Sequence, residues 1–225
     1  MRKRKANLDD GCNPELLVGA EFTGGLEFPI IKPPANLTIP PGLTLFTNRD
    51  KALGKDEGIC FFEKDPEFAE VLKNPEAYVA DLKRFPYVLP MDCSVYRDAP
   101  LQAQTINIYR SRVIGSYYQR MGCNIYPLAR WGNEYTYTTK YFPDRIAFLG
   151  LPKHSVICVG TYGNIQSRED KYYFKGGLEA MLETLEPEIV LVYGAMPHNV
   201  FSDYLNSTRF IQYPDWTSRM HGGNY

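Results

Sequence analysis

Short apolar runs recur along the chain, and each stops abruptly in polar or aromatic residues. YVLPM ends at Asp92-Cys93-Ser94, IYPLA at Arg130-Trp131-Gly132 and VICVG at Thr161-Tyr162-Gly163. IVLV ends at Tyr193-Gly194, and FIQ at Tyr213-Pro214-Asp215-Trp216. Runs this short and this uniformly apolar read as strands buried on both faces of a parallel sheet.

Helical spacing fills the intervals. Residues 99 to 121 place Ile106, Tyr109, Val113, Ile114, Tyr117 and Met121 on one face and stop at Met121-Gly122, where glycine ends a helix well. Ser167 stands three places before Asp170, a capping-box spacing for a helix with Phe174, Leu178, Met181, Leu182 and Leu185 on its inner face. Gly177 borders that face and Pro187 closes the helix. Asp65-Pro66 and Asn74-Pro75 each put a capping residue before a proline, which predicts two short helices or one broken helix over 66–84. A short helix is expected at 198–205, a last strand at RFIQY, a short strand at 146–150 and a hairpin in the Tyr- and Thr-rich insertion Asn133–Tyr141.

Strands alternating with helices predict the α/β class, with a largely parallel sheet and right-handed crossovers. Six or seven strands fit a small or incomplete barrel or, alternatively, an open doubly wound sheet. The absence of G-x-G-x-x-G counts against the dinucleotide-binding form of the latter. Residues 1–55, punctuated by Gly24-Gly25, Pro33-Pro34 and Pro40-Pro41-Gly42, read as an irregular N-terminal arm packed on the domain. Residues 56–217 form a single domain in this reading, and 218–225 a frayed tail.

Composition narrows the function classes. The 225 residues carry a net charge of −1, which disfavours a surface that grips a polyanion all round and leaves room for a local basic site. No apolar stretch approaches the ~20 residues of a membrane span. The basic start Met1-Arg2-Lys3-Arg4-Lys5 runs into Asn7-Leu8-Asp9-Asp10 instead of an apolar signal segment, so a cytoplasmic protein is expected. Five cysteines without a C-x-x-C pair fit reduced thiols. Cys60 and Cys158 read as core residues; Cys93, just beyond a strand, is a candidate nucleophile lacking an identifiable histidine partner.

If the strands are parallel, their trailing clusters share one rim, where α/β proteins bind ligands. That rim would hold Asp92, Arg97, Arg130, Trp131, Tyr162, Asp215 and Trp216. Arginine forks suit phosphate or carboxylate oxygens and flat rings stack on a base, so the candidate ligand is an anion with a planar part, a nucleotide or nucleic acid. Asp92 and Asp215 are the candidate catalytic carboxylates, as general base or as an all-carboxylate magnesium site. The bland alternatives are a surface pair for Arg97 beside Asp98 and a core lid for Trp131. Arg110, inside the apolar helix stripe, either reaches a strand-end carboxylate such as Asp92 or lays its stem along apolar surface with its head in water. The loop Gly160–Asn164 can offer N–H groups to phosphate, without a P-loop lysine. Three histidines at unrelated positions give no metal site, and no cofactor is specified.

SVYRDAP, YRSRVIGSYYQRMG, IYPLARWGNE, GLPKHSVICVGTYG, YYFKGGLEAML and IVLVYG together resemble an uncharacterised bacterial, prophage and mobile-element family, domain of unknown function four-four-one-seven. The resemblance covers roughly residues 85 to 217. It implies a phage or mobile-element setting and an intracellular protein, and no activity. Two functions follow as expectations. One is an α/β enzyme or binder of a nucleotide or nucleic acid at the carboxyl ends of its strands. The other is a non-catalytic accessory protein that binds nucleic acid or a host or phage protein through the 133–141 insertion and the basic start.

Overall fold

The structure, a computed structural model, describes residues 13–35, 37–52 and 54–222. The basic run at positions 2 to 5 and Cys12 lie outside them. A small antiparallel ribbon pairs β1 (Phe22–Thr23) with β2 (Phe28–Pro29). The remaining strands are parallel. β3 (Leu43–Leu45), β4 (Gly58–Phe61) and β5 (Tyr87–Met91) form one sheet in that order, and β6 (Val156–Gly160), β7 (Ile189–Tyr193) and β8 (Arg209–Tyr213) form a second.

IYPLA joins the two sheets. Pro127 has no N–H to donate, so the strip makes single parallel bridges, Val88 with Ile125 and Leu128 with Cys158, instead of a ladder. Tyr126 N–H donates to Val88 O (2.9 Å), and Cys158 N–H donates to Pro127 O (2.7 Å). The strands therefore succeed one another in chain order without the reversal that defines a doubly wound sheet. Among the described residues no ladder joins β8 to β3, so the arrangement is not closed into a barrel.

Side-chain alternation across this curved sheet separates an inner from an outer core. Leu43, Cys60, Leu89, Leu128, Cys158, Leu191 and Tyr213 pack together on the inside. Ile59, Phe61, Val88 and Met91 face outward toward one group of helices, and Ile157, Val159, Val190 and Val192 toward another. Those helices are α1 (Ala69–Lys73) and α2 (Val79–Leu82), each preceded by a 3-10 turn opening at a proline motif, and α3 (Leu101–Arg120). They continue with α4 (Glu134–Tyr137), α5 (Arg168–Leu185), α6 (His198–Phe201) and α7 (Trp216–Met220). The expected capping box is present: Ser167 Oγ accepts from Asp170 N–H and the Asp170 carboxylate accepts from Ser167 N–H.

Several expectations change. Leu43–Leu45 pairs with β4, so the stretch read as an irregular arm supplies a sheet strand. The insertion at 133–141 is not a hairpin. Asn133 Oδ1 accepts from Tyr135 N–H (3.2 Å), an N-cap that starts α4. Ile146–Phe148 is a 3-10 turn, not a strand. In the expected frayed tail, Arg219 of α7 pairs with Glu57 (2.6 Å) at the β8/β3 seam. That guanidinium holds the Glu57 carboxyl below its usual range.

The stripe expected on α3 is also revised. Ile106 and Met121 are exposed, whereas residues 111 to 118 are buried on every side. Gly115 allows close approach to β5, since a Cβ there would stand 2.6 Å from Ile31 Cδ1 and 3.1 Å from Pro90 Cβ, while Gln119 exchanges hydrogen bonds with the Lys32 backbone (2.8 Å each) and Arg120 donates to Leu16 O. The helix is clamped between the sheet and the N-terminal segment, so it has no single inner face. Arg112, not Arg110, is the arginine inside. Its guanidinium donates to the carbonyls of Leu128 (2.9 Å), Ala147 (2.8 Å) and Leu149 (2.9 Å). Burial pulls its pKa down to about 9, still charged at neutral pH.

Candidate functional site

A cavity of about 600 Å³ opens where β4, β5, the 125–129 strip and β6 end. The carboxyl ends of parallel strands point their last side chains into a space no ladder fills, so polar groups can be presented there. Asp92, Arg97, Arg130, Trp131 and Tyr162 all line it.

The lining carries the carboxylates Glu63, Asp92, Asp98 and Asp170 and the cations Lys64, Arg97 and Arg130, and Asp92–Arg130 is its most buried ion pair. Asp92 Oδ2 lies 3.4 Å from Arg130 Nη1. A second Arg130 amino group donates to Asn164 Oδ1 (2.7 Å), and Asn164 in turn donates to Gly160 O (3.0 Å). The β6 loop therefore orients Arg130 through a side-chain amide, while its Thr161 and Asn164 N–H groups bond to Tyr193 O and Thr161 O. Two atoms of the pair, Asp92 Oδ1 and Arg130 Nε, have no hydrogen-bond partner among the described residues. Burial raises the Asp92 carboxyl above its ordinary value; the Arg130 charge opposes the shift and Asp65 reinforces it. Asp65 is fixed by Ser94, whose N–H (3.2 Å) and hydroxyl (2.7 Å) both donate to it.

Arg97 is strongly engaged. It donates to Asp170 (3.2 Å) and Glu169 (3.1 Å) at the start of α5, and its guanidinium lies 5.8 Å from the Tyr173 ring centre. Its partner is thus α5, not the adjacent Asp98. Trp131 is nearly buried, tilted against Phe174 at 5.1 Å. Gly177 makes room for it, since a Cβ there would stand 2.1 Å from the indole nitrogen. Tyr162 is more than half exposed at the mouth.

Three expected residues lie elsewhere. Asp215 is the N-cap of α7, with one oxygen accepting from Ser218 N–H (3.0 Å) and the other from Ser218 Oγ (2.7 Å). Asp92 and Asp215 therefore do not share the cavity, and the two-aspartate magnesium site is not assembled. Among the described residues no group of three or more histidines, cysteines or acids could hold a metal ion. Trp216 belongs to the same cap: its N–H donates to Tyr193 OH (2.8 Å) and Lys51 lies 5.0 Å from its ring. Arg110 is half-buried and donates to Asn107 Oδ1 (3.3 Å), not to Asp92. Cys93 is buried, and burial pushes its thiol well up, the opposite of an activated nucleophile.

The cavity also recruits residues the pattern did not single out: Lys64 and Tyr96 at its edge, and Asp65 behind Ser94. Tyr96 stands in SVYRDAP, within the first strand-end cluster, where an unpartnered aromatic was the available signal. Lys64 and Asp65 follow β4, whose run GICFF ends in Glu63-Lys64-Asp65 in the same manner as the other strands.

The comparisons with known proteins agree with one another. The chain is 28% identical over 197 residues to the Gene 1 protein of Mycobacterium phage D29, covering 86% of this chain and 68% of that protein. It is also 28% identical over 172 residues to the Gene 1 protein of Mycobacterium phage L5, covering 76% and 71% respectively. No solved structure gives a significant match. No helix among the described residues is long and apolar enough to cross a membrane. The profile of the family described as "Domain of unknown function (DUF4417)" matches residues 20–214, and the chain belongs to that phage-associated family.

Proposed function

We propose that the strand-end cavity binds a nucleotide or the end of a nucleic acid, with Arg130, Lys64 and Arg97 facing the phosphate and Tyr162 and Tyr96 flanking the base. The observation that carries this reading is the cavity's buried Asp92–Arg130 pair, which leaves Asp92 Oδ1 and Arg130 Nε without hydrogen-bond partners among the described residues. A buried polar group left unmet costs stability unless water, an ion or a ligand completes it, and among such atoms these two belong to residues that line the open cavity. Trp131, folded into the core against Gly177, is a wall and not a stacking surface. Asp92, a buried carboxyl beside Arg130 whose pKa burial raises above its ordinary value, is the candidate acid or base.

Isothermal titration of the full chain with the four 5′-mononucleotides tests the proposal, with inorganic phosphate as a control. At least one nucleotide binds, more tightly than phosphate, and Arg130→Ala removes the binding while the circular dichroism spectrum is retained. Binding unaffected by Arg130→Ala, or no binding of any nucleotide, overturns it.

A further inference from the structure

The mouth of the cavity carries more exposed ring surface than one nucleotide would cover. Tyr96 and Tyr162 are 65% and 53% exposed and stand at its edge. Further rings follow on α5, which borders the cavity through Tyr173 and Phe174. Tyr173 lines the cavity under the Arg97 guanidinium, and Tyr172, 71% exposed, meets Tyr173 edge-on with ring centres 5.3 Å apart. One turn further along that side of α5, the hydroxyl of Tyr137 in α4 lies over Gly176, 3.0 Å from where a Cβ would be. That contact docks the insertion beside Tyr172. The insertion adds its own ring pair, Tyr135 and Tyr141, with centres 4.3 Å apart.

Cations accompany the rings. Arg168 sits four residues before Tyr172 on the same side of α5, is exposed, and has no ion pair among the described residues; Lys64, at the cavity mouth, is likewise exposed and unpaired. Lys140 lies 5.3 Å from the Tyr141 ring, without a carboxylate partner among the described residues. Carboxylates also stand beside this path: Arg97 engages Glu169 and Asp170, Thr47 bonds to Glu63, and Asp98 and Glu134 remain near the cavity and the insertion. Flat rings interspersed with free cations bind the stacked bases and phosphates of an unpaired strand, and do so with little dependence on base identity. Protein interfaces also gather tyrosine and arginine but are depleted in lysine, so Lys64 and Lys140 favour a polyanion here.

We propose that Tyr96, Tyr172 and Tyr141, with Lys64, Arg168 and Lys140, form a track for single-stranded nucleic acid that leads the end of the strand into the cavity. This rests on the nucleotide reading of the cavity and extends it to a polymeric substrate class. A duplex is excluded by the chemistry, because its paired, stacked bases cannot lie on isolated rings.

The test compares fluorescence anisotropy of a labelled mixed-sequence octanucleotide with mononucleotide titration, on the full chain and on a Tyr172→Ala/Arg168→Ala variant. Both replaced residues are exposed, and neither belongs to the cavity lining. The octanucleotide is expected to bind roughly tenfold or more tighter than the best mononucleotide, with each ring contributing through stacking. The variant loses most of that gain and keeps mononucleotide affinity. Raising the salt concentration weakens the octanucleotide in the wild type and does so less steeply in the variant. If a mononucleotide binds and the octanucleotide binds no tighter, or if a duplex of equal length competes as well as the single strand, the track is overturned and the cavity reading stands. If neither ligand binds, both fall together.

Discussion

Two strand ends with the same sequence character behave oppositely. YVLPM-Asp92 and FIQ-Tyr213-Pro214-Asp215 both stop an apolar run at an aspartate, and both aspartates are nearly buried. Asp215 spends both oxygens on Ser218 at the start of α7. Asp92 faces Arg130 with one oxygen and leaves the other unmet. One carboxylate completes the fold, and the other is left to the cavity. What separates them is whether a helix begins at the aspartate itself: α7 starts one residue after Asp215, whereas α3 starts nine residues after Asp92, beyond a loop that carries Tyr96 and Arg97.

Substitutions can break this comparison, beginning with the wall between cavity and core. Gly177→Ala drives a methyl into the Trp131 indole and is expected to destabilise the protein by about 2–3 kcal/mol, the cost of overpacking a filled site. Urea unfolding would show it as a lower midpoint with little change in slope.

Asp215→Ala removes an N-cap and should cost about 1 kcal/mol, with nucleotide affinity unchanged. A loss of binding in that variant would place the α7 rim in the ligand site and erase the contrast drawn above.

Asp92→Asn should act through pH. Burial raises this carboxyl, so the folded protein holds the proton more tightly than the unfolded chain. The stability Asp92 contributes is present below the ordinary carboxylate pKa and is lost as pH rises through the raised one. The melting temperature of the Asn variant, measured against wild type, should therefore improve as pH rises above the ordinary carboxylate range. A gap that is flat, or that runs the other way, would show Asp92 to be ionised comfortably at rest.

The smallest effect belongs to Tyr162→Ala. An exposed ring outside the core changes stability within about 0.5 kcal/mol, while nucleotide affinity should fall severalfold. Equal affinity would leave Tyr96 as the ring that matters.

The strand ends were legible because burial on both faces forces uninterrupted apolar runs, and the cavity-lining Asp92, Arg97, Arg130, Trp131 and Tyr162 follow those runs directly. The order of the strands was half legible: alternation with helices implies parallel pairing, but Pro127 alone does not tell that its strip bridges two sheets. α3 was misread for a physical reason. Amphipathic spacing assumes one wet face, and the N-terminal segment covers part of what would have been wet, through Lys32 on Gln119 and Leu16 on Arg120. Arg110 and Arg112 look alike in sequence; only tertiary contact decides that Arg112 finds three carbonyls and Arg110 a neighbouring asparagine. Asp215 resembled a catalytic acid because a capping aspartate and a strand-end aspartate have the same local signature.

Arg112 has a consequence for how the parts of this molecule depend on one another. Its guanidinium is buried with no carboxylate beside it among the described residues, and its N–H groups are met by carbonyls from two segments, at 128 and at 147 to 149. Displacing either segment while the helix stays packed would leave a buried charged donor unmet, at a cost of several kcal/mol. The helix, the bridging strip and the turn behind it are thereby tied together through one side chain, like the two sides of an arch through its keystone.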